Sequence, residues 1–270
     1  MLLEGKKALV TGSRRGIGAS IALTFAQEGA DVGINDVERD SEADNTIERI
    51  EQLGRKASWH MADIGNTECR QRLFDEFLAE HGRIDILVNN AVASRNVNFL
   101  DVSEGFWDHL VGHGLKGYLF CSQRAAKEMI RQKTGGRIVS ISSVHSLRAW
   151  PADTVYGIVK AGLNRMVMSM AKDLSGTGIT ANCVAPGYID SRVLSPEEEA
   201  NRGAIGAGYA DHVKGHIPSD RGGLPSDIAT AVLFLVSHLG DYVNGHTLVV
   251  DGGFLAGGTR EDMPWVQEHG

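Results

Sequence analysis

The chain has 270 residues, 42% of them hydrophobic, with three cysteines and a formal net charge of −7. That length can bury a large single core, while the acidic balance, with no basic stripe or low-complexity tail, excludes nucleic acid as an expected partner. No apolar run approaches the roughly 20 residues that cross a bilayer, and the widely spaced Cys69, Cys121 and Cys183 read as buried thiols rather than a disulfide framework.

Residues 1–4 lead into the first strand without a secretory signal, so the expected compartment is the cytoplasm. An apolar strand at 7–10 is followed by Thr11-Gly12-Ser13-Arg14-Arg15-Gly16-Ile17-Gly18 and then by an apolar-periodic helix over 19–27. Gly12 allows a tight turn, Gly16 lets backbone approach a pyrophosphate at a helix N-terminus, and Gly18 permits close helix packing. The glycines are spaced G-x-x-x-G-x-G rather than G-x-G-x-x-G. The next strand, 31–36, ends in Asp36, a carboxylate able to accept bonds from adenosine ribose hydroxyls and to repel a 2′-phosphate, which favours NAD. Arg14 and Arg15, either of which can meet such a phosphate, leave NADP open.

Further apolar strands are expected at 57–62, 84–89, 136–142, 179–184 and 246–250, with helices at 69–80, 106–132, 156–174 and 228–236. Alternating strands and helices predict an α/β fold: a single-domain, Rossmann-type, doubly wound parallel sheet with helices on both faces, spanning residues 1–254. Ligands of such sheets bind beyond the carboxyl ends of the strands, and Asp63, Asn89, Ser143 and Pro186 follow such ends.

Within the 156–174 helix, Tyr156 and Lys160 stand at i and i+4 on one face, where an ammonium favours the phenolate of its neighbour. A tyrosine with an ordinary pKa of about 10 becomes a useful base for a hydroxyl proton only with such help. Ser143 would hold the substrate oxygen. His109 with His113, and His212 with His216, share helical spacing but lack a third ligand, so no catalytic metal is expected.

Taken together, residues 6–254 resemble the short-chain dehydrogenase/reductase family. The motifs are the 11–18 turn, Asp63-Ile64, Asn89-Asn90-Ala91, Ser143 with Tyr156 and Lys160, the run from Pro186 to Ser191, and Asp251-Gly252-Gly253. The resemblance implies an NAD(P)-dependent oxidoreductase in which Tyr156 is the acid/base, Ser143 orients the reacting oxygen, and Lys160 lowers the tyrosine pKa and holds the nicotinamide ribose. It places the cofactor on Gly12, Ser13, Arg14, Arg15, Gly16, Ile17, Gly18, Asp36, Asp63, Ile64, Asn89, Ala91, Tyr156, Lys160, Pro186, Gly187, Ile189 and Ser191, with Asp63 and Ile64 flanking the adenine. It also implies a homotetramer.

Two residues depart from the family pattern: Val92 stands where Asn-Asn-Ala-Gly has its last glycine, and Gly114 stands where the family has a fourth catalytic residue, an asparagine. Glycine preserves a kinked helix and leaves room for water, with His113 or a backbone carbonyl as a stand-in for the missing amide. Within the family, the loop from Ser142 through His145 and Arg148 to Trp150 and Pro151 resembles that of bacterial glucose dehydrogenases. That likeness implies a sugar-like small-molecule substrate between His145 and Trp150, contacted also by Ser143 and Tyr156, and an aldose 1-dehydrogenase reaction giving a lactone. Acids of that subgroup are replaced by Ser94 and Ser146, with Arg95 and Arg148 close by. A positive pocket suits an anionic hexose, whether sulfonated (sulfoquinovose), phosphorylated or uronic; pairing of both arginines with surface carboxylates is the alternative. Arg192 is a third candidate cation.

Residues 190–225, punctuated by glycines, read as a substrate lid, with Val193, Leu194, Ile205 and Tyr209 as pocket-facing candidates. Residues 255–270, with Trp265, form a tail that reaches a neighbouring subunit or frays. The competing functions are an NADPH-dependent ketone or 3-oxoacyl reductase and, because of Gly114, a non-catalytic sensor of the nicotinamide cofactor.

Overall fold

In the computed structural model, which describes residues 1–91, 96–191, 217–219 and 221–256, the apolar runs become one parallel sheet. Its strands among the described residues are β1 (Lys7–Thr11), β2 (Asp31–Asp36), β3 (Ala57–Met61), β4 (Ile86–Asn89), β5 (Gly136–Ile141), β6 (Ile179–Pro186) and β7 (Thr247–Val250). They lie in the order β3-β2-β1-β4-β5-β6-β7. Val10 of β1 is opposite Ile34 of β2 on one side and Val88 of β4 on the other. Strands covered on both faces bury every side chain, which is why they read as continuous apolar runs.

The helices are α1 (Gly16–Gln27), α2 (Ser41–Gln52), α3 (Thr67–His81), α4 (Glu104–Val111), α5 (Tyr118–Gln132), α6 (Thr154–Asp173) and α7 (Pro225–Val236). One face of the sheet is covered by α1 and α7, whose Ile21, Phe25, Val232 and Leu235 join Val10, Val32, Ile34 and Val88 in one buried cluster. The other is covered by α3, α5 and α6, through Leu73, Phe77, Tyr118, Met129, Leu163 and Val167. Cys121 and Cys183 are buried and Cys69 partly so, all three as free thiols.

Two features differ from expectation. The stretch expected as one helix over 106–132 is α4 and α5 joined by a π-helical turn, Gly112–Gly117. A helix over 41–52 was not anticipated; Asp40 starts it by accepting from the N–H groups of Glu42 and Ala43, both at 3.1 Å. The strand order, not the chain direction, reverses between β1 and β4, and this switch point opens a crevice at the carboxyl ends. Within the expected lid, 192–216 and 220 lie outside the described residues, and with them Arg192, Val193, Leu194, Ile205, Tyr209, His212 and His216; so does 257–270 with Trp265. Among the described residues no helix is long and apolar enough to cross a membrane.

Candidate active site

At the switch point lies a cleft of about 820 Å³. Gly12, Arg14, Arg15, Gly16 and Ile17 of the glycine turn line it, with Asp36, Asp63, Ile64, Ala91 and Ser191. Gly12 and Gly16 have φ of +60° and +61°, and a Cβ on Gly12 would lie 2.5 Å from Ala91 Cα. Arg15, at the N-cap of α1, makes no side-chain cap bond, and among the described residues no side chain accepts from the first-turn N–H groups beside the cleft. Bare backbone, free donors and the positive end of a helix dipole make a cradle that fits the pyrophosphate of NAD(P). The adjoining loop is tied down by Asn90, whose Nδ2 donates to the carbonyls of Thr11 and Gly12 at 3.1 and 2.7 Å.

Several expected cofactor residues act differently. Asn89 is fully buried, and its Nδ2 donates to Ser122 Oγ (2.9 Å) and Ser140 Oγ (3.3 Å), so its amide ties β4 to α5 and β5 while Asn90 lines the cleft. Ser13 is also fully buried, donating to the Val10 carbonyl at 2.6 Å. Gly18 packs closely, in keeping with the role read for it in the sequence: a Cβ there would meet the Gly12 carbonyl at 2.3 Å. Of the motif after β6, Ser191 reaches the cleft. Pro186 ends β6, Gly187 lies under Asp251, and Ile189 forms a bridge with Gly223.

Charge at the ribose end is organised around Arg14. Its guanidinium pairs with Asp40, with Glu38 at 2.8 Å and with Asp36 at 3.8 Å. Arg15 reaches Glu42 at 3.7 Å.

Ser143, Tyr156 and Lys160 converge where β5 ends and α6 begins. The Ser143 hydroxyl is hydrogen-bonded with the Tyr156 phenol. Burial raises the phenol above its ordinary pKa, and the bond from Ser143 only partly offsets this. Lys160 is 2% exposed. Its Nζ lies 5.5 Å from the centre of the Tyr156 ring and donates to the Ile141 carbonyl at 2.8 Å. Desolvation lowers its pKa to about 8. The expected lowering of the phenol is therefore not what this arrangement gives, because burial acts against both charged forms and the ammonium is bonded to backbone.

Gly114 faces this cluster from the π-helical turn, which preserves the expected kink. The expected room beside it is filled: a Cβ on Gly114 would lie 2.7 Å from Val159 Cγ1, on the residue preceding Lys160. His113 is no stand-in for the amide, since its Nε2 lies 2.9 Å from Asp63 Oδ1 in the cofactor cleft.

On the substrate side, His145 stacks on Trp150 (4.3 Å, 27°) and meets Tyr156 edge-on at 5.3 Å. Phe254, which sequence reasoning did not single out, stacks on Trp150 at 5.8 Å, and the Arg148 guanidinium lies over both rings at 5.6 and 6.0 Å. Buried Asp153 was also missed. It occupies the N-cap position of α6 yet makes no cap bond; its Oδ2 instead accepts from His145 Nδ1 (2.9 Å) and Trp150 N (3.0 Å). The readable signal was an acid at a helix start just before Tyr156. Arg95, Ser94 and Val92 lie outside the described residues.

Residues 12–255 match the family model described as Enoyl-(Acyl carrier protein) reductase. The 2-dehydro-3-deoxy-D-gluconate 5-dehydrogenase of Escherichia coli (strain K12) is 39% identical over 258 residues, 94% of this chain and 97% of that one. The 3-oxoacyl-(acyl-carrier-protein) reductase of Thermotoga maritima is 34% identical, over 94% of this chain and all (100%) of its own. Among solved structures, a short chain dehydrogenase from Burkholderia cenocepacia J2315 in complex with NADP matches with a TM-score of 0.84 and 34% identity, covering 94% of this chain and 100% of that one.

Proposed function

Because the chain belongs to the short-chain dehydrogenase/reductase family, and so to the NAD(P)-dependent oxidoreductases acting on CH–OH groups, we propose that it is a sugar dehydrogenase with an anionic substrate and a preference for NAD. The observation that carries this reading is Arg148, exposed over Trp150 and Phe254 and beside His145, with no carboxylate partner among the described residues. Aromatic faces suit the C–H surface of a sugar, and a guanidinium takes a carboxylate, phosphate or sulfonate through paired bonds. The Escherichia coli relative is named for a gluconate derivative, itself a carboxylate. Oxidation of the anomeric hydroxyl of an anionic aldose to its lactone is the first reaction assigned; oxidation of a secondary hydroxyl of a sugar acid is the second.

A nicotinamide bound beside this cluster supplies the hydride acceptor. Tyr156, in its phenolate form, takes the proton of the reacting hydroxyl, and Ser143 bonds to the same oxygen as its charge develops, with Lys160 Nζ 5.5 Å from the centre of the phenol ring. The preference for NAD rests on Asp36, Glu38 and Asp40, which engage Arg14 and repel a further phosphate. The reading extends to a cytoplasmic homotetramer, supported by exposed Phe234, Leu239, Tyr242 and Val249 on and around α7 and β7. A second reading, reduction of a ketone or 3-oxoacyl group, draws support from the raised phenol, which holds its proton at neutral pH and can donate it to a carbonyl oxygen.

Initial rates with NAD and NADP on glucose and its 6-carboxylate, 6-phosphate and 6-sulfonate counterparts, and on 2-dehydro-3-deoxy-D-gluconate, test the reading. An anionic sugar is expected to be preferred, with Arg148→Ala raising its KM about tenfold or more and leaving a neutral sugar unchanged. Equal rates on neutral glucose, or indifference to Arg148→Ala, would refute the positive pocket.

A further inference from the structure

Asp63 and His113 reach the cofactor cleft from different parts of the chain and meet at its wall. His113 places Nε2 2.9 Å from Asp63 Oδ1 and Nδ1 2.7 Å from the carbonyl oxygen of His109. A carbonyl only accepts, as does a carboxylate oxygen, so both ring nitrogens of His113 face acceptors and the ring is held between them. Asp63 Oδ1 also accepts from the Gly65 N–H at 2.7 Å. That oxygen is thereby filled, while Oδ2 takes no bond from any described residue.

Gly65 supplies a second, independent sign. A Cβ there would lie 2.8, 2.9 and 3.0 Å from Nε2, Cε1 and Cδ2 of His113, and Gly65 is not among the glycines with left-handed backbone. Glycine at this position serves close approach of the imidazole rather than an unusual turn.

Resting on the reading that this cleft takes a nicotinamide dinucleotide, we infer that His113 is a positioning residue for the adenine end. Together with the Gly65 N–H it clamps Oδ1 of Asp63 and presents Oδ2 as an acceptor for the exocyclic amino group of the base. The chemical feature selected is a purine with an amino donor, against one carrying a keto acceptor at the same place. An acceptor held in one orientation discriminates between these because the keto analogue leaves a fixed carboxylate oxygen facing another acceptor.

Dissociation constants of NADH and of deamino-NADH, in which hypoxanthine replaces adenine, measured by nicotinamide fluorescence in wild type, His113→Leu and Gly65→Ala, test the inference. Wild type is expected to prefer NADH. Both variants should weaken NADH about tenfold while moving deamino-NADH by less than about twofold, so that the preference collapses. Gly65→Ala displaces the ring without removing it, and keeps the test available should His113→Leu fail to fold. Equal weakening of both dinucleotides, or no change in either, overturns the inference, as does a wild type that binds the two alike. A wild type that binds neither overturns the cofactor reading, and the inference with it.

Discussion

Lys160 is buried with a single carbonyl as its polar partner, and desolvation holds its pKa at about 8. A lysine whose folded pKa lies below its unfolded one opposes folding at neutral pH. The opposition fades as pH rises from about 8 into the ordinary lysine range, where the unfolded chain gives up the same proton. Lys160→Met should therefore stabilise the protein by about 1–2 kcal/mol at pH 7, with the orphaned Ile141 carbonyl offsetting part of the gain, while lowering kcat/KM by about a hundredfold or more. Denaturant midpoints at pH 7 and pH 10 check this: the gain should shrink at the higher pH, and a variant less stable than wild type at pH 7 contradicts it. The same trade is visible at Asp153, which leaves the first turn of α6 uncapped and holds His145 instead. A cap is worth about 1 kcal/mol, so holding His145 costs α6 stabilisation of that order.

The π-helical turn is the element that sets the distance between α4–α5 and α6. It brings position 114 against Val159 so closely that an asparagine there would have to displace a valine methyl. Gly114→Asn should cost about 1–3 kcal/mol through overpacking, and Val159→Ala should relieve it. Thermal denaturation of the two single variants and the pair should give a coupling of about 1 kcal/mol or more; additive effects would show that the two positions do not compete for space. The strands and α6 were legible in the sequence because apolar runs and i, i+4 spacing are local. The packing of Gly114 on Val159 was not, since only the tertiary fold unites residues so far apart. The turn was hidden too, because one extra residue in a helix leaves the surrounding apolar pattern intact. α2 escaped notice since it buries little beyond Ala43, Thr46 and Ile50, although Asp40 ahead of Glu42 and Asp44 was a readable start. Asn89 was placed in the cofactor site by its motif, but its amide serves the interior; a motif identifies a neighbourhood without saying which way each side chain turns.

For the whole molecule, stability toward acid rests on a buried group away from the cofactor cleft. Ser58 and His60 of β3 meet His81 at the end of α3, with Ser58 Oγ 2.7 Å from Nε2 of both rings and Phe77 stacked on His81 at 4.6 Å. Burial, reinforced for His81 by nearby Lys56, lowers its pKa from 6.5 to about 4, and burial lowers His60 as well. Histidines depressed in the fold contribute stability that is present above the unfolded value and lost as pH falls, because the unfolded chain takes up protons that the fold refuses. Urea midpoints should accordingly decline from about pH 6.5 toward pH 4, with a shallower decline in His81→Gln; a midpoint that is flat over that range would exclude the cluster as the acid-sensitive element. The negative balance of the chain also has a local use at the cleft mouth, where Asp36, Glu38 and Asp40 surround Arg14. A guanidinium of the kind that a 2′-phosphate would need thus already stands at the cleft, occupied by acids. A lineage of this protein changing its coenzyme preference would therefore need no new cation there, since any change in favour of a 2′-phosphate can proceed by subtraction of the acids that hold Arg14.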